Sequence, residues 1–172
     1  MTEDFILQYF TDVATALKDI GHTVEVPAFF RVKSKTDLDE FDYAVRNTTK
    51  NNVLILETGA GATTGWDSTN DNLQIGLHCL VKTDEAFANI LIARDLAKAI
   101  LLKAVSRMRI DCQPFGLYSD GAAGPLCGQI ATFDSACKYD DMDGIDGNWY
   151  GKAMYFTWKV PLDLSYNPAD WN

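Results

Sequence analysis

Histidine is scarce in this sequence. The 172 residues contain only His22 and His78, so proton relays and metal sites built on imidazole have little to draw on. Basic charge is short as well: 15 lysines and arginines face 24 acids, for a net charge of −9. That balance excludes nucleic-acid binding through a broad cationic face, because the overall field repels phosphate. The one local basic stretch, Lys103 to Arg109, reads first as the solvated end of a helix, with cations near its negative pole. No apolar run approaches the about 20 residues of a membrane helix. The four cysteines, Cys79, Cys112, Cys127 and Cys137, include no C-x-x-C pair and no histidine at finger spacing, which leaves a structural zinc site without support. The N-terminus carries Glu3 and Asp4 where a secretory leader carries basic residues, so the expectation is a cytoplasmic product with reduced thiols.

What is present is regular patterning. Phe5, Ile6, Tyr9, Phe10, Val13, Leu17 and Ile20 recur at three- and four-residue steps and predict a helix from Thr2 to Ile20, stopped at Gly21. "HTVEVPAFFRVK" reads as extended, with Pro27 at an edge or a break. Leu38, Phe41 and Val45 suggest a short helix. "NNVLILET" is a short apolar run of β-formers, consistent with a buried strand. In "NLQIGLHCLVKT", Leu73, Ile75, Leu77, Cys79 and Val81 alternate with Gln74, Gly76, His78, Leu80 and Lys82. Period two predicts a strand with one apolar face, and it places His78 and Cys79 on opposite sides. Adjacent strand residues cannot share a proton, so the pair fails as a catalytic dyad.

A long helix is predicted from Glu85 to Arg109, capped by Thr83 or Asp84. Its buried stripe would comprise Phe87, Ile90, Leu91, Arg94, Ala97, Leu101, Ala104, Val105 and Met108. After an irregular stretch, with a short strand around Phe115 to Tyr118, "LCGQIATFDS" and "NWYGKAMYFTWKVPLDLSY" read as closing strands. The expected fold is therefore a single α+β domain over residues 1–172. A mainly antiparallel β-sheet packs against an N-terminal helix and one long central helix, with helices on one face. Mobile loops are expected at about 59–71 and 138–148.

Both loops invite chemical readings. "GAGATTGWDSTND" is glycine-rich, but it has no G-K-[ST] ending and leads into a strand rather than a helix N-terminus, which removes the nucleotide reading. "KYDDMDGIDG" is acidic. With Gly144 at position 6 of a calcium loop, Asp143 and Asp141 fall correctly at 5 and 3, yet Tyr139 and Tyr150 occupy positions 1 and 12. A solvated turn is the simpler reading, with adventitious divalent binding at Asp141, Asp143 and Asp146 as the alternative. Neither cofactor nor structural metal is expected.

The order of features resembles the tail-terminator and tail-completion proteins of long-tailed bacteriophages and prophages. It comprises an N-terminal helix, "NNVLILETG" leading through a loop into "DNLQIGLHCLVKT", the helix "AFANILIARDLAKAILLKAV" and the late strand "YGKAMYFTWKVPL". The likeness is one of pattern over residues 3–164, and the "SACKYDDMDGIDGN" insertion departs from the most compact members. It implies a structural, non-catalytic subunit that joins copies of itself in a ring and contacts other phage tail or neck proteins. It also implies assembly in the host cytoplasm followed by residence in the virion. Trp66, Asp67, Asp141, Asp143 and Asp146 are then the candidate interface residues, Trp66 serving as an aromatic anchor or else covering its own sheet edge. Two other classes stay open. One is a bacterial small-molecule or protein-binding module lined by Trp149, Tyr150, Tyr155, Phe156 and Trp158. The other is a hydrolase using Cys127 or Cys137 with His22 or His78, although no spacing pairs them.

Overall fold

The computed structural model describes residues 3–32, 38–64, 70–113, 123–130, 132–133 and 138–161. The chain forms α1 (Glu3–Ala16), β1 (Phe29–Val32), α2 (Leu38–Arg46), β2 (Asn52–Thr64), β3 (Asn70–Lys82), α3 (Phe87–Asp111), β4 (Thr132–Phe133), β5 (Lys138–Ile145) and β6 (Trp149–Pro161). The strands make one mixed sheet in the order β1-β2-β3-β6-β4, with β5 also paired to β6. The α+β single-domain expectation holds.

β2, β3 and β6 form the spine, each 13 residues long. β3 runs antiparallel to both neighbours, pairing Leu77 with Leu56 on one side and with Met154 on the other. The apolar side chains of this spine at Leu54, Leu56, Ile75, Leu77, Cys79, Met154, Phe156 and Trp158 meet α1 and α3 in the larger core. Phe10 of α1 stacks on Trp158 with ring centroids 5.5 Å apart, and Tyr9 meets the same indole edge-on at 5.9 Å. The aromatics once available as a pocket lining, Tyr150, Phe156 and Trp158, belong to this core.

The sheet is covered on both faces, not one. β1 lies parallel to β2. Parallel neighbours require a crossover, and α2 lies in that connection. Phe41, Ala44 and Val45 of α2 pack with Val53, Ile55, Leu80 and Trp149 in a second core on the opposite face. The continuous apolar run of β2 reflects this double burial.

Other boundaries differ from expectation. α1 ends at Ala16, and a turn carries the chain to Gly21, which adopts φ +55° and donates its N–H to Leu17 O at 2.8 Å. The left-handed stop is where glycine was expected, five residues beyond the end of the helix proper. The loop expected at 59–71 is largely strand, since β2 continues to Thr64 and β3 begins at Asn70. The acidic loop expected at 138–148 is β5 followed by a turn, paired from Lys138↔Tyr155 to Ile145↔Trp149. Of "LCGQIATFDS", the described residues contribute an isolated bridge between Cys127 and Ile130 and the two residues of β4. The strand expected at Phe115 to Tyr118 lies outside the described residues.

Candidate functional site

α3 carries apolar side chains all round its circumference. Its sheet-facing side buries Ala93, Ala97, Ile100, Leu101, Ala104, Val105 and Met108. The predicted stripe is corrected at its N-terminal end: Phe87 is 74% exposed and Leu91 43%. Arg94 is no core residue either, because it leaves the stripe to pair with Asp141 and Asp143. Ile92, Leu96, Leu102 and Ile110 are also exposed. A periodicity argument could not separate the two faces, since both are apolar. No side chain caps the helix at Ala86. Asp84 instead accepts from Ala86 N–H and Asn89 Nδ2, each at 2.9 Å. Those bonds, the Asn89 amide foremost, hold its carboxyl below the usual range.

Beside α3 lies a cleft of about 360 Å³ against α1, walled by Tyr9, Asp12 and Val13 of α1, by Leu17 just beyond its end, and by Lys103, Ala104 and Arg107 of α3. Asp111 is fully buried at its floor. Its carboxylate accepts from Tyr9 Oη at 2.8 Å and from Arg107 Nε at 2.8 and 2.9 Å. Burial first, and the neighbouring Asp111 charge second, push the Tyr9 hydroxyl far above its ordinary pKa. This phenol therefore stays protonated and serves as a donor. Sequence periodicity gave no hint of Asp111, an acid on the buried side of a helix end.

On the other face, His78 is fully buried. Its Nε2 lies 3.1 Å from Glu57 Oε2, and its Nδ1 lies 3.2 Å from Met142 Sδ. A carboxylate only accepts, so Nε2 is the protonated nitrogen. Phe41 and Tyr155 close edge-on around the ring. Gly76 leaves the space: a Cβ there would come within 2.9 Å of Glu57 Oε2 and 3.1 Å of His78 Nε2. Cys79 faces the opposite core, where burial raises its thiol pKa strongly. The two side chains thus point to opposite faces, as the alternation predicts. The described partners of His78 include no thiol or aliphatic hydroxyl. His22 Nδ1 accepts from Ala28 N–H at 3.2 Å. Cys127 is a free thiol, and Cys137 lies outside the described residues.

The acidic hairpin is tied to the body by ion pairs. Asp141 pairs with Lys152, and with Arg94 Nη1 at 3.3 Å; Lys152 chiefly lowers its pKa. Asp143 bonds Arg94 Nε at 3.1 Å, and Asp146 bonds Arg46 Nη2 at 3.0 Å. One arginine comes from α3 and one from α2, so the turn is clamped between the two helix layers. Asp146 itself sits at φ +45°, a left-handed conformation that aspartate tolerates better than most residues. Among the described residues, no group of three or more His, Cys, Asp or Glu side chains is arranged to hold a metal ion. No helix among them is long and apolar enough to cross a membrane. Trp66 and Asp67 lie outside the described residues. No protein-family model matches this sequence, and no curated protein matches it.

Proposed function

We propose that this chain is a structural subunit of a phage or prophage virion. In this reading it is a tail-terminator or tail-completion protein that closes into a ring of its own copies. It assembles in the host cytoplasm, remains in the tail or neck, and works by contact rather than by catalysis, without a cofactor. One observation carries the reading. α3 buries one apolar face against its own sheet and leaves Phe87, Leu91, Ile92, Leu96, Leu102 and Ile110 exposed on the rest of its surface. A helix apolar all round belongs inside something larger, and exposed apolar surface of this kind marks an interaction site. The polar groups have a different character: Asp111, Glu57 and the hairpin aspartates are engaged by partners within the subunit. Groups so occupied fit scaffolding better than chemistry.

The cleft between α1 and α3 supports a second reading, a small-molecule or protein-binding module, because it joins mostly apolar walls to a few fixed polar groups. The deciding experiment is disruption of the gene in its host, with electron microscopy of the particles produced. Tails of irregular length, or tails without heads, are the expected result. Intact, infectious particles in normal number refute the virion role.

A further inference from the structure

We infer that two copies of this chain pair back to back, the outward face of α3 lying antiparallel against the same face of a second copy. The pattern on that face is self-complementary, which is why its occupant is another copy. Ala88, Ile92, Asp95, Ala99, Leu102 and Ser106 are all exposed and recur at steps of 4, 3, 4, 3 and 4 residues. At 100° per residue they form one seam, about 170° round the helix from the side chains that face the sheet. This is the spacing by which one helix presents a stripe to another. Ile92 is 65% exposed, and the exposed Ile110 extends the apolar surface on the same side.

The steps read the same in both directions, and their midpoint is Ala97. Antiparallel helices related by a two-fold axis at that level set Ile92 against Leu102 of the second copy, Ala88 against Ser106 and Asp95 against Ala99. Charge selects the same arrangement. Glu85, Asp95 and Arg109 are exposed, and none is paired with another described residue. Glu85 and Arg109 each stand twelve residues from Ala97, so the two-fold brings one opposite the other, twice per pair. Asp95 comes to the level of Lys98 of the second copy, on the same side of the seam. Lys98 is exposed, its ammonium 5.4 Å from the Tyr139 ring centre. Arg94, Lys103 and Arg107 are already engaged by acids within the subunit and are not needed. Parallel pairing would set Glu85 against Glu85 and Arg109 against Arg109, and that repulsion rejects it.

The contact is isologous and closes at two copies. It builds on the exposed apolar surface that carries the proposed function, but not on the virion role. It names what covers the outward part of that surface, and a ring needs a further, heterologous contact elsewhere. From Ala88 to Ser106 the seam is about 27 Å long. That is small for a protein complex, so the pair forms reversibly.

The test is sedimentation velocity of the purified chain from micromolar to millimolar concentration at low salt, with circular dichroism confirming that each variant is folded. The parent is expected to dimerise, more weakly as salt rises. Ile92→Glu, at an exposed position outside the core, should weaken dimerisation at least about thirtyfold, the effect of losing one interface hot spot. Glu85→Arg and Arg109→Glu should each weaken it at least about threefold, since each sets like charges opposite one another. The double variant, Glu85→Arg with Arg109→Glu, should return to within about twofold of the parent, because the pair is then reversed rather than broken. A parent that is monomeric throughout overturns the inference. A parent that associates equally well with Ile92→Glu overturns it too, and leaves a ring built on other surfaces standing. A double variant weaker than either single one overturns the antiparallel register. The ring reading is judged separately, by the particle phenotype.

Discussion

Replacing Asp111 by alanine tests the polar floor of the cleft. The carboxylate is fully buried and accepts from Tyr9 Oη and Arg107 Nε. Its removal strands the Tyr9 hydroxyl among apolar side chains, at a cost of about 1–3 kcal/mol for an unsatisfied buried donor. Breaking a buried ion pair by deleting one partner costs about 3–5 kcal/mol when the other charge stays trapped. Arg107 is about half exposed, so it regains water and that figure must be discounted. A loss of about 2–4 kcal/mol results, equivalent to about 4–16 °C in Tm for a domain of this size. Asp111→Asn retains an acceptor for Tyr9 and should cost about half as much. Thermal denaturation of Tyr9→Phe, Asp111→Asn and their double variant then isolates the pair, with a coupling of at least about 0.5 kcal/mol expected for contacting residues. An Asp111→Ala protein melting within about 2 °C of the parent refutes the reasoning, as does strict additivity of the two single changes.

Gly151 sits on β6 opposite Leu80, where a Cβ would fall inside contact distance of the Cys79 carbonyl oxygen and 3.0 Å from Leu80 Cα. These are backbone atoms of the central strand and cannot turn aside, so Gly151→Ala should lower stability by at least about 3 kcal/mol in urea titration; an unchanged midpoint is the contrary result. Cys112 has its thiol pKa raised to about 11, first by burial and then by Asp111 and Cys127. The thiolate is the reactive form, so at pH 7 alkylation of Cys112 should run at least about 100-fold slower than that of a free thiol, the gap narrowing to about 30-fold at pH 9.5 as the free thiol saturates. Its rate should climb about tenfold per pH unit without levelling near pH 9, and a plateau there contradicts the burial argument.

Much of the spine was legible because its signals are local and redundant. Ile6, Phe10 and Val13 mark one face of α1, and five alternating residues from Leu73 to Val81 fix the facing of β3. What escaped were features set by tertiary context. Lys138–Ile145 contains three aspartates and a glycine, residues depleted in strands, and it is strand because β6 supplies a backbone partner and Arg94 and Lys152 neutralise its acids. Leu80 and the fully buried His78 lie on a second covered face, whereas alternation alone reads that side as solvent-facing. The crossover helix that covers it has only nine residues, too few for its period to be decisive. In α3 the difficulty was excess rather than absence of apolar residues. Phe87 and Leu91 match a buried stripe as well as Ala93 and Ala97 do, and only the position of the sheet distinguishes them.

The double pairing of β3 governs how the chain acquires its structure. The hairpin with β2 closes across a short separation, whereas pairing with β6 begins at Lys82↔Trp149 and reaches Asn70↔Pro161. On a ribosome making about 5–20 residues per second, the interval between Lys82 and Trp149 lasts roughly 3–13 s. Throughout that interval β3 is an edge, a ready template for pairing with another nascent chain. Phe10 meanwhile waits for Trp158, the partner on which it stacks. The long-range closure also slows the final folding step, because chain entropy is surrendered before β6 returns any contact. Newly made protein therefore passes through a window of exposed strand and unburied aromatics, and its solubility during synthesis depends on the arrival of β6.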